Sequence, residues 1–234
     1  MNDFCLGPLS LSIPRVVGTV TSLAYLRDLP ADLSGDCDIV EARLDQFEPC
    51  PPTQWLQACL RVEAEGTPVL ATIRLPQDGG KWQRQEHERK DLLVEAFTHL
   101  SAIDVETDSL LRKDLCDLAL SLRKSLVVSY HNFEGTPPLE ELCDLVDSIL
   151  DCPLAIPKLA IMVHNKKDVG VLRQVLASYP ASRPICVLGM GDAGVNTRLS
   201  FPGLGSKLTY GYMNQSCAPG QLPSKHLLAA LRQP

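Results

Sequence analysis

The sequence predicts an α/β protein folded as a single (β/α)8 barrel of the TIM type, with residues 1–234 forming one domain. Short β-branched runs alternate with segments of helical apolar spacing, and the alternation repeats through the chain. Eight such runs in 234 residues leave about 29 residues per unit, close to the lower limit for a βαβ element. No long linker, low-complexity tract or internal repeat interrupts them. A doubly wound open sheet is the competing arrangement for the same pattern.

The predicted strands, in order, are V-V-G-T-V (16–20), D-I-V-E-A-R-L-D (38–45), P-V-L-A-T-I-R (68–74) and A-I-D-V-E-T (102–107). They continue with S-L-V-V-S-Y-H-N-F (125–133), P-K-L-A-I-M-V (157–163), P-I-C-V-L-G (184–189) and K-L-T-Y-G-Y-M (207–213). Between them, Trp55, Leu56, Cys59 and Leu60 share one helical face. Leu92, Leu93, Ala96, Phe97 and Leu100 share another. Leu115, Leu118, Ala119 and Leu122 form a third stripe, and Leu139, Leu142, Val146 and Ile149 a fourth. Pro137 and Pro138 suit a helix start, as does Pro223 ahead of the last stripe, Leu227 to Leu231.

Composition narrows the partners. A net charge of −6 and a pI near 5.4 argue against nucleic acid or an anionic membrane as partner, since both reward a basic face. No segment approaches the roughly 18 unbroken apolar residues of a membrane span. The first residues carry Asp3 where a signal peptide has a basic region, and Pro8 and Pro14 break the apolar run, so a cytoplasmic protein is expected. The nine cysteines are odd in number and follow no zinc-ligand spacing, which fits reduced thiols buried as small hydrophobes.

Side chains two apart on a strand share a face, so each run pairs its polar residues. Glu41 pairs with Arg43, Thr72 with Arg74, Asp104 with Glu106, and Ser129 with His131, while Lys158 shares a face with Ala160 and Met162. In a barrel, inward polar groups near C-terminal strand ends meet at one mouth. Charge gathered there is costly unless it is paired or used. Lys158 has two readings: an ammonium at the strand's entrance that snorkels to water, or an amine inside a partly desolvated pocket that attacks carbonyls. His131 is either a structural hydrogen-bonder or a proton shuttle, and Glu106 either pairs with an inward arginine or holds the imidazole.

G-M-G-D-A-G (189–194) matches a dinucleotide fingerprint but follows the seventh strand, with no acid about 20 residues on for a ribose. It reads instead as a turn at the mouth. Arg198 lies just past it, and C-A-P-G-Q (217–221) after the eighth strand reads as a loop able to act as a lid.

Taken in order, E-A-R-L-D, A-T-I-R, D-V-E-T, V-S-Y-H-N-F followed by T-P, P-K-L-A-I-M, M-G with N-T-R-L, G-S-K-L-T-Y-G and A-P-G-Q resemble the type I 3-dehydroquinate dehydratases. The resemblance runs from about Val16 to Gln221. It implies a (β/α)8 barrel that dehydrates 3-dehydroquinate to 3-dehydroshikimate in the shikimate pathway, without a metal or other cofactor and as a homodimer. It puts the imine-forming lysine at Lys158, the general acid/base at His131 and the carboxylate that orients it at Glu106. Substrate-binding positions fall on Glu41, Arg43, Arg74, Arg198, Cys217 and Gln221.

This chain departs from the family at Cys217, where serine is usual before A-P-G-Q, with Ser216 one residue earlier. Cysteine is the poorer hydrogen-bond donor, so a raised KM is expected. The N-terminus looks short for the strand pair that often closes the barrel bottom in this family, and the last helix looks short as well. Two other functions fit the barrel: a class I aldolase sharing the imine lysine, and an inactive barrel kept for binding. Presence of both the lysine and the histidine speaks against the second.

Overall fold

The computed structural model describes residues 5–7 and 9–232. Eight parallel strands form the barrel: β1 (Arg15–Val20), β2 (Ile39–Arg43), β3 (Val69–Thr72), β4 (Ala102–Glu106), β5 (Leu126–Asn132), β6 (Ala155–Met162), β7 (Cys186–Met190) and β8 (Leu208–Tyr212). β8 pairs with β1, and each following strand pairs with the next up to β7. Beyond the edges of the predicted runs, all eight strands stand where the alternation put them.

The seam between β7 and β8 is closed differently. One bridge joins Ile185 to Ser206. Beside it, the Lys207 amide donates to the Ile185 carbonyl (2.8 Å), and the Val187 amide donates to Ser206 Oγ (3.0 Å). A side-chain hydroxyl thus replaces a missing rung of the ladder.

The helices are α1 (Leu23–Arg27), α2 (Pro52–Ala64), α3 (Glu86–His99), α4 (Arg112–Leu122), α5 (Leu139–Leu150), α6 (Lys166–Ala177), α7 (Thr197–Ser200) and α8 (Ser224–Leu231). Their starts follow local chemistry. Pro138 precedes α5 and Pro223 precedes α8, while the Asn165 side chain accepts from the Lys167 and Asp168 amides at the head of α6. Outward strand residues such as Val40, Ala71 and Ile103 pack on the stripes of α2 and α3, among them Trp55, Cys59, Leu93 and Phe97.

The inward residues fall into layers two positions apart. Nearest the strand starts, Val17, Ile39, Leu70, Ala102, Val127, Ile156, Cys186 and Leu208 form an apolar plug. One step toward the mouth come Thr19, Glu41, Thr72, Asp104, Ser129, Lys158, Leu188 and Tyr210, all buried. The change from apolar to polar within two residues places chemistry at the C-terminal mouth and stability below it.

Two expectations need correction. β6 starts at Ala155, so Lys158 lies inside the strand and not at its entrance, and its register partners are Ser129 and Cys186. The N-terminus, though short, does form an antiparallel pair, Cys5–Leu6 with Leu9–Ser10. Leu11, immediately after, joins the apolar plug and seals the barrel bottom. Only two residues separate the paired positions Leu6 and Leu9, and Gly7 turns the chain there from the left-handed region at φ 57°.

Candidate active site

A cavity of about 550 Å³, open mouth included, sits at the C-terminal end of the barrel. Lys158, His131, Arg198, Glu41, Arg43, Arg74, Cys217 and Gln221 all line it. Of the residues to which the resemblance gave a catalytic or substrate-binding position, Glu106 alone is missing from its walls.

Lys158 projects from β6 into the barrel and is 5% exposed. Its Nζ donates to Asp104 Oδ2 (2.9 Å) and lies 4.1 Å from the centre of the Tyr210 ring. Snorkelling to water is therefore ruled out, because the amine points into the cavity and not along the strand to solvent. Asp104 itself is 1% exposed. Its other oxygen takes Arg74 Nη2 (2.8 Å) and the Ser129 hydroxyl (2.6 Å). Burial alone would raise this carboxyl, but Arg74 and Lys158 together hold it well below the usual carboxylate range.

His131 stands at the end of β5, its ring stacked on Phe133 at 6.3 Å between centroids. Its Nδ1 lies 3.2 Å from Asp78 Oδ1. Donation from Nδ1 to that carboxylate leaves the lone pair on Nε2. Burial, with Arg74 and Lys158 nearby, pushes the imidazole well below its ordinary value, so it is neutral at neutral pH and ready to accept a proton. Burial pushes Asp78 the other way, to about 6, against the pull of Arg74.

The carboxylate beside the imidazole is thus Asp78, not Glu106. Glu106 leaves β4 turned toward α3, where Arg89 Nη1 meets Oε2 at 2.6 Å. Its Oε1 lies 3.1 Å from Arg74 Nη1 in an ion pair and accepts from the Leu75 amide (3.1 Å). Two arginines and a backbone donor fix it as the anchor of the β3–α3 loop. Sequence alternation missed Asp78 because it lies on a turn, where period-two reasoning has no hold. The turn itself was readable: P-Q-D-G-G (76–80) comes three residues after β3. Gly79 takes φ 78°, and a Cβ there would lie 2.8 Å from Phe133 Cζ, so only glycine lets the turn fold Asp78 back against the ring that flanks His131. Asp104 was visible on an inward face but was given no task, and its pairing with Lys158 depends on β6 register that no local pattern encodes.

The three cavity arginines differ. Arg43 is held on two sides by Asp45, at 2.9 Å from Nε and 2.9 Å from Nη2. Arg74 is shared by Asp104, Glu106 and Ser129. Arg198, on α7 and 2% exposed, has no carboxylate partner among the described residues. It donates only to carbonyls: Nε to Gly220 (3.1 Å), Nη1 to Tyr210 (3.1 Å) and Nη2 to Pro219 (3.5 Å). Burial lowers its guanidinium to about 10. A buried cation without a counter-ion is costly, and a ligand carboxylate would relieve that cost.

The remaining wall is neutral or anionic. Glu41 accepts the Thr19 (2.8 Å) and Thr72 (2.9 Å) hydroxyls. Gln221 binds back to its own loop, its Oε1 accepting from the Cys217 amide (3.0 Å) and its Nε2 donating to Thr19 Oγ1 (3.3 Å). Cys217 Sγ lies 3.4 Å from Arg43 Nη1. An amine, a neutral imidazole with an adjacent carboxylate, and a cation lacking its anion share one buried space. Such a set suits proton removal beside a carbonyl of a small carboxylate.

Comparison with known proteins agrees with this chemistry. The model of the type I 3-dehydroquinase family matches residues 16–234. The chain is 32% identical over 219 residues to a 3-dehydroquinate dehydratase from Thermodesulfovibrio yellowstonii, covering 93% of this chain and 94% of that protein. It is 37% identical over 166 residues to one from Methanococcoides burtonii, covering 70% of each. Among solved structures, the 3-dehydroquinate dehydratase of Geobacillus kaustophilus superposes with a TM-score of 0.81 at 26% identity, over 93% of this chain and 90% of that one. With a barrel, a mouth and a near full-length match all in agreement, the chain belongs to the type I 3-dehydroquinase family.

Proposed function

We propose that this protein removes water from 3-dehydroquinate to give 3-dehydroshikimate, through an imine between the substrate ketone and Lys158. The observation that carries the reading is the joint placement of the Lys158 amine, a neutral His131 and an arginine without a counter-ion in one buried cavity. The substrate carboxylate pairs with Arg198, whose planar fork suits it. Lys158 adds to the ketone, and loss of water leaves a protonated imine that draws electrons from the neighbouring C–H bond. His131 takes that proton through Nε2, supported at Nδ1 by Asp78, and an enamine forms. The imidazolium then protonates the departing hydroxyl, and hydrolysis of the imine frees Lys158 and the product. Glu41, Arg43, Arg74, Cys217 and Gln221 supply polar contacts to the ring hydroxyls and the carboxylate.

The family resemblance supports a homodimer, and a cytoplasmic setting fits the eight unpaired cysteines of the described residues. No described helix is long and apolar enough to cross a membrane.

The test is reductive trapping. The protein is incubated with 3-dehydroquinate and borohydride, and its mass and peptide map are recorded, with enone absorbance followed in parallel. A single adduct on Lys158 together with turnover is expected. Turnover without an adduct would remove Lys158 from its role, and absence of both would send the search to carbon–carbon cleaving substrates.

A further inference from the structure

We propose that Asp104 and the face of Tyr210 form a cage that keeps the imine nitrogen on Lys158 in its protonated form throughout the reaction. This rests on the imine role of Lys158 given above. Charge conservation supplies the reason. An ammonium and a ketone combine to give a protonated imine and one water: the nitrogen loses two protons to the departing oxygen, keeps the third, and carries one positive charge before and after. A site that binds the ammonium through charge therefore also binds the protonated imine. A neutral imine would be a weak electron sink.

The geometry fits both species. Asp104 Oδ2 has Lys158 Nζ as its one partner, at 2.9 Å, while Oδ1 takes Arg74 and Ser129. From the opposite side of the barrel the Tyr210 ring meets the same nitrogen at 4.1 Å, within range for a cation over an aromatic face. Both groups are buried, which strengthens the attraction.

The other carboxylates of this cavity, Glu41 and Asp78, make no contact with this nitrogen. Burial pushes the Cys186 thiol up to about 12 and raises Cys217 as well, and His131 is held neutral. Arg74 is a cation, and Glu41 is already engaged by two threonine hydroxyls. Asp104 is thus the one carboxylate in contact with the nitrogen. The field of Asp104 also favours the charged form of His131. When the α-proton moves to His131, the positive charge passes from nitrogen to imidazole within reach of the same carboxylate.

Cyanoborohydride reduces protonated imines in preference to neutral ones, so its trapping rate reads the protonated fraction. Trapping on Lys158 would be followed from about pH 6 to about pH 9 for the wild type, Asp104→Asn and Tyr210→Leu. A profile nearly flat with pH is expected for the wild type. For Asp104→Asn, loss of a contacting opposite charge should cut trapping ~10-fold or more at the alkaline end relative to the acid end. Tyr210→Leu should shift the profile in the same direction by less. Variants that bind and trap with the wild-type pH profile would overturn the proposal while leaving the imine intact. If Asp104→Asn fails to fold, the Tyr210→Leu profile decides alone. No adduct in the wild type would instead bring down the Lys158 reading, and the cage with it.

Discussion

At the scale of single residues, the imidazole and its carboxylate set the pH behaviour. Asp78 has its carboxyl raised to about 6, so it is the proton-binding form that gains as pH falls through that value. Once protonated, Asp78 no longer holds the Nδ1–H tautomer, and Nε2 loses its lone pair to the other tautomer part of the time. His131 is pushed below its ordinary value, so its own protonation comes at lower pH and deepens the loss. The expected result is a kcat/KM that declines below about pH 6, measured as initial rate of enone formation. In Asp78→Asn, kcat should fall ~10²-fold or more while borohydride still traps the imine on Lys158. A variant with full kcat would mean that the 3.2 Å contact is structural. These residues also show what the sequence could and could not reveal. Lys158, His131 and Arg74 are legible because a strand fixes their direction by counting in twos. Asp78 is not, because its direction comes from a glycine turn, and of the two readings left open for Glu106 the structure shows the pairing with an inward arginine, not the contact with the imidazole that the resemblance implied.

At the scale of elements, the loop after β8 is hydrogen-bonded to Arg198, the residue proposed to bind the substrate carboxylate. Arg198 donates to the Gly220 and Pro219 carbonyls, and the Gly191 amide reaches the Pro219 carbonyl at 3.4 Å. The sequence placed A-P-G-Q at the mouth correctly, since a loop after the last strand of a barrel has nowhere else to go. What it hid is that Arg198 and the loop share hydrogen bonds, so the residue proposed for the carboxylate also seats this loop. Gly220 sits at φ 72°, and a Cβ there would come 2.8 Å from the Gly191 carbonyl oxygen. Gly220→Ala therefore strains the backbone and pushes the loop off its seat, by about 1–3 kcal/mol. KM should rise about five- to 150-fold by that measure, with the melting temperature little changed, because few core contacts depend on this loop. Cys217 offers a milder test in the same loop. Its sulfur accepts weakly from Arg43 at 3.4 Å, and serine would make a stronger contact. Cys217→Ser should lower KM more than it alters kcat; an unchanged KM in steady-state kinetics would count against any role for this position in binding.

At the scale of the whole molecule, the barrel separates what stabilises it from what reacts. The layer nearest the strand starts is apolar, and the next layer toward the mouth carries Glu41, Asp104 and Lys158. Buried charge at the mouth costs stability, which the plug beneath and the helices outside must offset. The overall architecture was legible because eight buried strands need eight apolar runs, whereas the closure at the bottom was not, because it depends on a short hairpin with little periodicity. Leu11 makes the separation testable. It is 3% exposed and lies in the same cluster as Val17, Ile39, Leu70 and Leu208, on the far side of that plug from Lys158. Leu11→Ala removes buried methyl groups and leaves a gap that the surrounding strands cannot close without bending the ladder. Such a truncation should cost ~2–4 kcal/mol in urea unfolding, since the site is rigid. The polar layer is set by strand register and by its own hydrogen bonds, so kcat/KM at a temperature where the variant is folded should stay close to the wild-type value. If kcat/KM fell in step with stability instead, the mouth would depend on the bottom closure for its geometry, and the barrel would act as one cooperative unit from Leu11 to Lys158.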